Sequence, residues 1–125
     1  MVRALVGRVR VCGPRGCAAA IAMLDTGAEI SGVSARLARR LGLPRAGEVR
    51  VQTANGPMRR PAVWIEAALG WCQPARFAAL IQRPILARVD MLIGLNYLAR
   101  AGVEVDVAGR RVRCRQPDQP RSRRR

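Results

Sequence analysis

The chain has 125 residues, 23 of them basic and 8 acidic, with no histidine and a formal net charge of +15. The missing histidine excludes Ser-His-Asp and Cys-His catalysis and every histidine-containing zinc site. All the basic residues are arginine, a balance that suits an acidic partner such as nucleic acid or an anionic surface, although the complete absence of lysine also matches a coding bias. Arg3, Arg8, Arg10, Arg36, Arg39, Arg40 and Arg50 are expected on solvated faces, and only Arg121 to Arg125 forms a cluster. The length suits one domain with a real core.

Val2 to Val11 predicts a strand, with Val9 and Val11 on one face and Arg8 and Arg10 on the other. Cys12-Gly13-Pro14-Arg15-Gly16 is turn chemistry and predicts a hairpin. Ala18 to Leu24 is uninterruptedly apolar; its alanines favour helix, but its short length between glycine turns favours a buried strand. This run ends in Asp25-Thr26-Gly27, where the glycine permits a sharp turn and leaves the carboxylate in a tight loop against apolar walls. Two such carboxylates brought together would share one proton, which is acid-base machinery. Taken alone, the tripeptide reads equally well as an ordinary turn.

Ile30 to Ser34 predicts a short strand, and Ser34 can cap a helix in which Leu37 and Leu41 share a face before Gly42 and Pro44 stop it. Glu48 to Thr53 alternates with Val49 and Val51 inward, and it runs into Asn55-Gly56, a strong hairpin signal. The return strand is expected from about Met58 to Leu69, ending at Gly70. The tip at Ala54 to Pro57 has little side chain to bury and should project. Phe77 to Ile81 and Met91 to Ile93 predict further strands, and Asn96 to Ala101 a short helix ended by Gly102. Val103, Val105 and Val107 alternate with Glu104 and Asp106 before an Ala108-Gly109 turn, and Val112 and Cys114 return in a last hairpin. The expected domain is residues 1–115; residues 116–125, rich in proline and arginine, are expected to be a disordered basic tail.

Cys12, Cys17, Cys72 and Cys114 lack the close pairs of a zinc ribbon, so no metal site is expected. Cys12 and Cys17 can face each other across the hairpin, but reduced thiols are the expectation. Met1 to Val11 lacks an uninterrupted apolar core of signal-peptide length, which points to the cytoplasm. No stretch is long and apolar enough for a membrane helix.

Many short strands, two brief helices and glycine-rich turns predict a mainly β, barrel-like, single-lobed domain. Leu24-Asp25-Thr26-Gly27-Ala28 followed by Ile30 to Val33, a central Asn55-Gly56 hairpin and the later Leu92-Ile93-Gly94 together resemble the retropepsins, the retroviral-type aspartic proteases. The resemblance covers roughly Val2 to Cys114. It implies a retropepsin-like acid-protease barrel in which Asp25 is the catalytic aspartate, Thr26 locks two active-site loops together, and Gly27 and Ala28 offer backbone groups to an extended peptide. Glu29 stands where viral members often place an aspartate that holds substrate main chain. Ala54, Asn55 and Gly56 correspond to the flap, and Leu92, Ile93 and Gly94 to the apolar segment beside the catalytic loop. Viral members often continue with arginine and then aspartate or asparagine, whereas Leu95 and Asn96 stand here, closer to transposon-like and bacterial relatives.

Aspartic protease chemistry needs two carboxylates, and the chain has one Asp-Thr-Gly. Asp90 lacks a following Thr-Gly or Ser-Gly, and Asp106 sits on the polar face of an alternating strand. A homodimer is therefore expected, placing both Asp25 side chains beside a twofold axis, with a peptide or protein substrate and no cofactor. Two other functions compete: a catalytically silent dimerisation or peptide-binding module on the same fold, and an arginine-rich nucleic-acid binder. The last is weakened because Trp64, Trp71, Phe77 and Tyr97 include no evident stacking set.

Overall fold

A computed structural model of the chain describes residues 5–83, 88–106, 108 and 111–114. The expected strand start at Val2, together with Val107, Gly109 and the tail from 116, lies outside the described residues. Nine strands and two helices follow one another: β1 (Leu5–Gly13), β2 (Gly16–Leu24), β3 (Ser31–Ser34), α1 (Ala35–Leu41), β4 (Arg45–Thr53), β5 (Gly56–Leu69), β6 (Ala75–Gln82), β7 (Met91–Ile93), α2 (Leu95–Ala101), β8 (Val103–Asp106) and β9 (Arg111–Cys114). The main sheet runs β1-β2-β7-β3-β6-β5-β4, and an additional β1–β5 pairing closes six of these strands into a barrel, leaving β4 outside the ring. Closure removes the exposed edges that six short strands would otherwise present. Strands β8 and β9 form a separate hairpin.

Period-2 alternation decides what the barrel encloses. Val9 and Val11 are buried while Arg8 and Arg10 are exposed, as their alternation predicts. On β2 the apolar run is divided between two faces: Ala20, Ala22 and Leu24 enter the core, whereas Ile21 and Met23 are half-buried on the other side. The expectation that Val49 and Val51 point inward is met only in part, because both are half-buried on β4, the strand beyond the barrel. Strand β4 also begins earlier than Glu48, at Arg45, because a bulge between Arg45 and Gly47 lets pairing with β5 continue past the glycine.

Helix α1 starts as expected: Ser34 has an extended backbone and its hydroxyl accepts the Leu37 N–H at 3.2 Å. Helix α2 packs Tyr97 and Leu98 inward, and the fully buried Tyr97 ring meets Phe77 at 5.3 Å between centroids. Its hydroxyl accepts the Leu69 N–H at 2.9 Å and donates to the Gln73 carbonyl at 3.1 Å. Burial pushes the phenol above its ordinary pKa, and the Leu69 hydrogen bond partly offsets that rise. A raised folded-state value contributes stability that is complete below the unfolded pKa and is lost as pH rises through the folded one. Tyr97→Phe strands the buried Leu69 N–H and should cost about 1–3 kcal/mol in a denaturant titration, while removing that alkaline dependence.

The cysteines depart from expectation. Cys12 and Cys17 are direct partners in the β1–β2 register, with Cα atoms 4.0 Å apart, and form a disulfide rather than two thiols. Tight hairpin pairing places them side by side, which residue counting alone does not require. Cys72 and Cys114 are also joined, tying β9 to the β5–β6 connection. Disulfides persist in oxidising surroundings, so the bonded cysteines lend the cytoplasmic expectation no support. Among the described residues, no helix is long and apolar enough to cross a membrane.

Candidate active site

The Asp25 loop owes its position to the order of three strands. Strand β7 lies between β2 and β3, parallel to the first and antiparallel to the second. The connection from Leu24 to Ser31 must therefore pass over the end of β7, where the chain turns into α2. Asp25 N–H donates to the Ile93 carbonyl at 2.9 Å, extending the β2–β7 ladder by one rung. Beyond it, Leu95 N–H donates to the Ala28 carbonyl at 2.8 Å and Asn96 N–H to the Glu29 carbonyl at 3.1 Å. Gly94 passes directly beneath the loop: a Cβ there would sit 2.7 Å from the Ala28 carbonyl oxygen and 3.0 Å from the Ile30 carbonyl oxygen.

Within the loop, Asp25 turns back on itself. Its Oδ1 accepts the Gly27 N–H at 2.9 Å, and its carbonyl accepts the Ala28 N–H at 3.1 Å. These bonds fix the carboxylate without burying it; Asp25 is half-buried, while Thr26, Gly27 and Glu29 are exposed. Ala28 has both backbone groups engaged inside the chain, and the Gly27 carbonyl forms no hydrogen bond among the described residues.

Strand β7 is divided between two faces. Met91 and Ile93 belong to the main core, and Ile93 is fully enclosed. Leu92 is buried outside that core, on the same side as its register partner Met23. Gly94 N–H donates to the Ser31 hydroxyl at 2.9 Å.

Ala54, Asn55 and Gly56 stand apart at the tip of the β4–β5 hairpin and make no hydrogen bond to the Asp25 loop among the described residues. The turn lies one position earlier than Asn-Gly suggests. Thr53 pairs with Gly56, so Ala54 and Asn55 form the turn, and Gly56 follows with φ 101°. Only glycine adopts that conformation without penalty. The Thr53 hydroxyl secures the tip by donating to the Gly56 carbonyl at 2.7 Å and accepting the Asn55 N–H at 3.2 Å.

Two supporting residues escape any reading of the motif alone. Asn96 Oδ1 accepts from the Ser31 N–H at 2.9 Å and the Ser31 hydroxyl at 2.7 Å, while Nδ2 donates to the Ala78 carbonyl at 2.7 Å. One amide therefore joins α2, β3 and β6 beneath the Asp25 loop. The available signal was Asn96 itself, a polar residue opening a helix after an apolar strand. Asn96→Asp keeps the acceptor but loses the donor and turns a carboxylate toward the Ala78 carbonyl. Thermal unfolding should report a loss of about 1–3 kcal/mol, and an unchanged Tm would show that the network contributes nothing. Asp90 is similarly committed, accepting from the Ser34 hydroxyl at 2.8 Å and pairing with Arg36 at 3.1 Å. Among the described residues, no cluster of acidic or cysteine side chains could hold a metal.

Residues 8–97 match the aspartyl protease family, a span that includes the Asp25 loop, the hairpin tip and β7. The chain belongs to that family. This aspartyl protease family member has a retropepsin-like fold, similar to the retroviral protease-like domain of Ddi1 from Leishmania major. The two are 21% identical with a TM-score of 0.53, over 91% of this chain and 88% of that one. A protein of unknown function from Legionella pneumophila is similar too, at 16% identity and a TM-score of 0.52, over 81% of this chain and 90% of the other. At these identities the likeness concerns the fold alone. No curated protein matches the sequence.

Proposed function

We propose that the chain is an aspartic endopeptidase that works as a homodimer. The observation that carries this reading is Asp25 itself, a carboxylate held by Gly27 N–H on an accessible rim whose neighbours Thr26 and Gly27 are exposed. One chain supplies one such group, and the chemistry requires two. A twofold axis beside Asp25 provides the second and lets the Thr26 hydroxyls meet across it.

In the paired site one carboxylate removes a proton from water, whose oxygen attacks the peptide carbonyl carbon. The other, protonated, donates to the carbonyl oxygen as its negative charge develops. The resulting tetrahedral species collapses when the C–N bond breaks and the departing nitrogen takes a proton from the dyad. The Gly27 carbonyl, unbonded among the described residues, would accept a substrate N–H, and Leu92 would offer apolar contact. The hairpin tip at Ala54, Asn55 and Gly56 would close over the peptide, and Glu29 would meet its main chain.

Cleavage of a mixed peptide library, measured with sedimentation across a dilution series, tests the reading. Activity and dimer fraction should fall together, and a pepstatin-type inhibitor should suppress cleavage. Full specific activity where no dimer remains would overturn the shared site. Peptide binding without turnover would identify a silent module, and nucleic-acid binding alone an arginine-rich binder.

A further inference from the structure

The face of the sheet turned away from the core runs in register from the catalytic loop to a basic cavity. Met23 pairs with Leu92, Leu92 with Gly32, Gly32 with Leu80, and Leu80 with Ala62, across β2, β7, β3, β6 and β5. Their neighbours Ala22, Met91, Val33, Ala79 and Val63 all face the core. Arg60 lies two residues before Ala62 and therefore shares its face. At this end a cavity of about 550 Å³ is lined by Arg36, Arg60, Arg83 and Arg88, with Asp90 the one carboxylate among the described residues that line it. A smaller recess shares Arg83 and Asp90 with that cavity and is lined by Met23 and Leu92, and Met23 lies two residues before Asp25 on the same face of the strand.

The charge of this cavity is unbalanced. Asp90 is already bonded to Ser34 and Arg36. Among the described residues, Arg60, Arg83 and Arg88 have no ion-pair partner. Arg88 also has φ 67°, a left-handed backbone uncommon for a long side chain and one that concentrates at functional positions. Guanidinium groups match a carboxylate with two parallel hydrogen bonds.

We propose that this cavity takes an acidic side chain of the peptide, so that the enzyme selects substrates carrying glutamate or aspartate at one position away from the scissile bond. The inference rests on the endopeptidase reading and adds its substrate class. Peptide is favoured over nucleic acid because Met23 and Leu92, which lie in register between Asp25 and the cavity, are apolar, and among the described residues no aromatic ring lines either space for a base to stack on.

The test uses the full chain and pairs of peptides that differ by Glu or Gln, scanned along both sides of the cleaved bond. One position should favour Glu by about tenfold in kcat/KM, the effect of a single charge-assisted contact, and added salt should shrink that ratio. In Arg83→Gln and in Arg88→Gly the ratio should fall to within about twofold of one. Arg88→Gly also relieves the left-handed backbone, so loss of folding is not expected to obscure the result. The same peptide pairs bound to the Asp25→Asn protein, followed by fluorescence anisotropy, read the cavity without turnover. If that protein discriminates Glu from Gln while the unaltered chain cleaves neither, the endopeptidase reading fails and the acidic-peptide site stands. Equal handling of Glu and Gln in both assays, or a preference that survives both substitutions, overturns the site. Oligonucleotide binding abolished by both substitutions, with Glu and Gln peptides bound alike, overturns it in favour of nucleic acid.

Discussion

Asp25→Asn should lower peptide cleavage by several orders of magnitude while the fold persists. Asparagine keeps an Oδ1 that can accept the Gly27 N–H, now 2.9 Å from the carboxylate, so the loop has no reason to open. The amide can neither take a proton from water nor hold one in common with a partner. Dimerisation should be at least as tight, since two facing carboxylates repel unless a proton lies between them, and two amides do not. Mixing supplies the sharper form of the test. A dimer of one intact and one Asp25→Asn chain retains a single carboxylate, so excess mutant should suppress an active preparation as mixed dimers form. Verified mixed dimers that cleave as well as intact ones would remove the paired-carboxylate mechanism.

Much of this arrangement was legible in the sequence because its signals are local. Alternation at Arg8 to Val11 names both the strand and its buried face, and Ser34 followed by Leu37 and Leu41 names a capped helix. Asp25-Thr26-Gly27 announces the loop because few residue types combine a carboxylate with a turn this tight. What escaped depends on strands meeting from distant parts of the chain. No local pattern states that β1, beyond its hairpin with β2, also pairs with β5, or that β7 threads between β2 and β3. The Cys72–Cys114 bond joins elements 42 residues apart, and its two cysteines look unrelated until the fold closes. The arginines illustrate the same limit. Arg36, Arg60, Arg83 and Arg88 look scattered when counted along the chain, yet they line one cavity because α1, β5, the residue after β6 and the residues before β7 converge there.

Asn55-Gly56 marks the hairpin but leaves its register open. Ala54 and Asn55 turn the chain while the glycine absorbs the positive φ that follows. A one-residue change in pairing exchanges the two faces of a strand. The tip chemistry of Thr53, which bonds both Asn55 and Gly56, supports the register that the paired residues of β4 and β5 keep.

Gly94→Ala should damage activity more than stability. The backbone at Gly94, with φ −105° and ψ −173°, is one that any residue adopts, so conformational preference is not the obstacle. Space is the obstacle: the added Cβ would lie 2.7 Å from the Ala28 carbonyl oxygen and 3.0 Å from both the carbon and oxygen of the Ile30 carbonyl. These are backbone atoms and cannot rotate away. Either the Asp25 to Ile30 loop rises or the β7–α2 junction sinks, and both movements strain the bonds from Leu95 N–H to Ala28 and from Asn96 N–H to Glu29. Overpacking of this kind costs about 1–3 kcal/mol, which thermal unfolding should register. Catalysis should suffer more, because displacing a reacting group by about 1 Å can cost on the order of a hundredfold in rate. Leu95→Ala is the comparison, since that exposed side chain can be shortened while its backbone N–H remains in place. If Gly94→Ala matched the unaltered chain in both Tm and kcat/KM, the close passage beneath the loop would not be what positions Asp25.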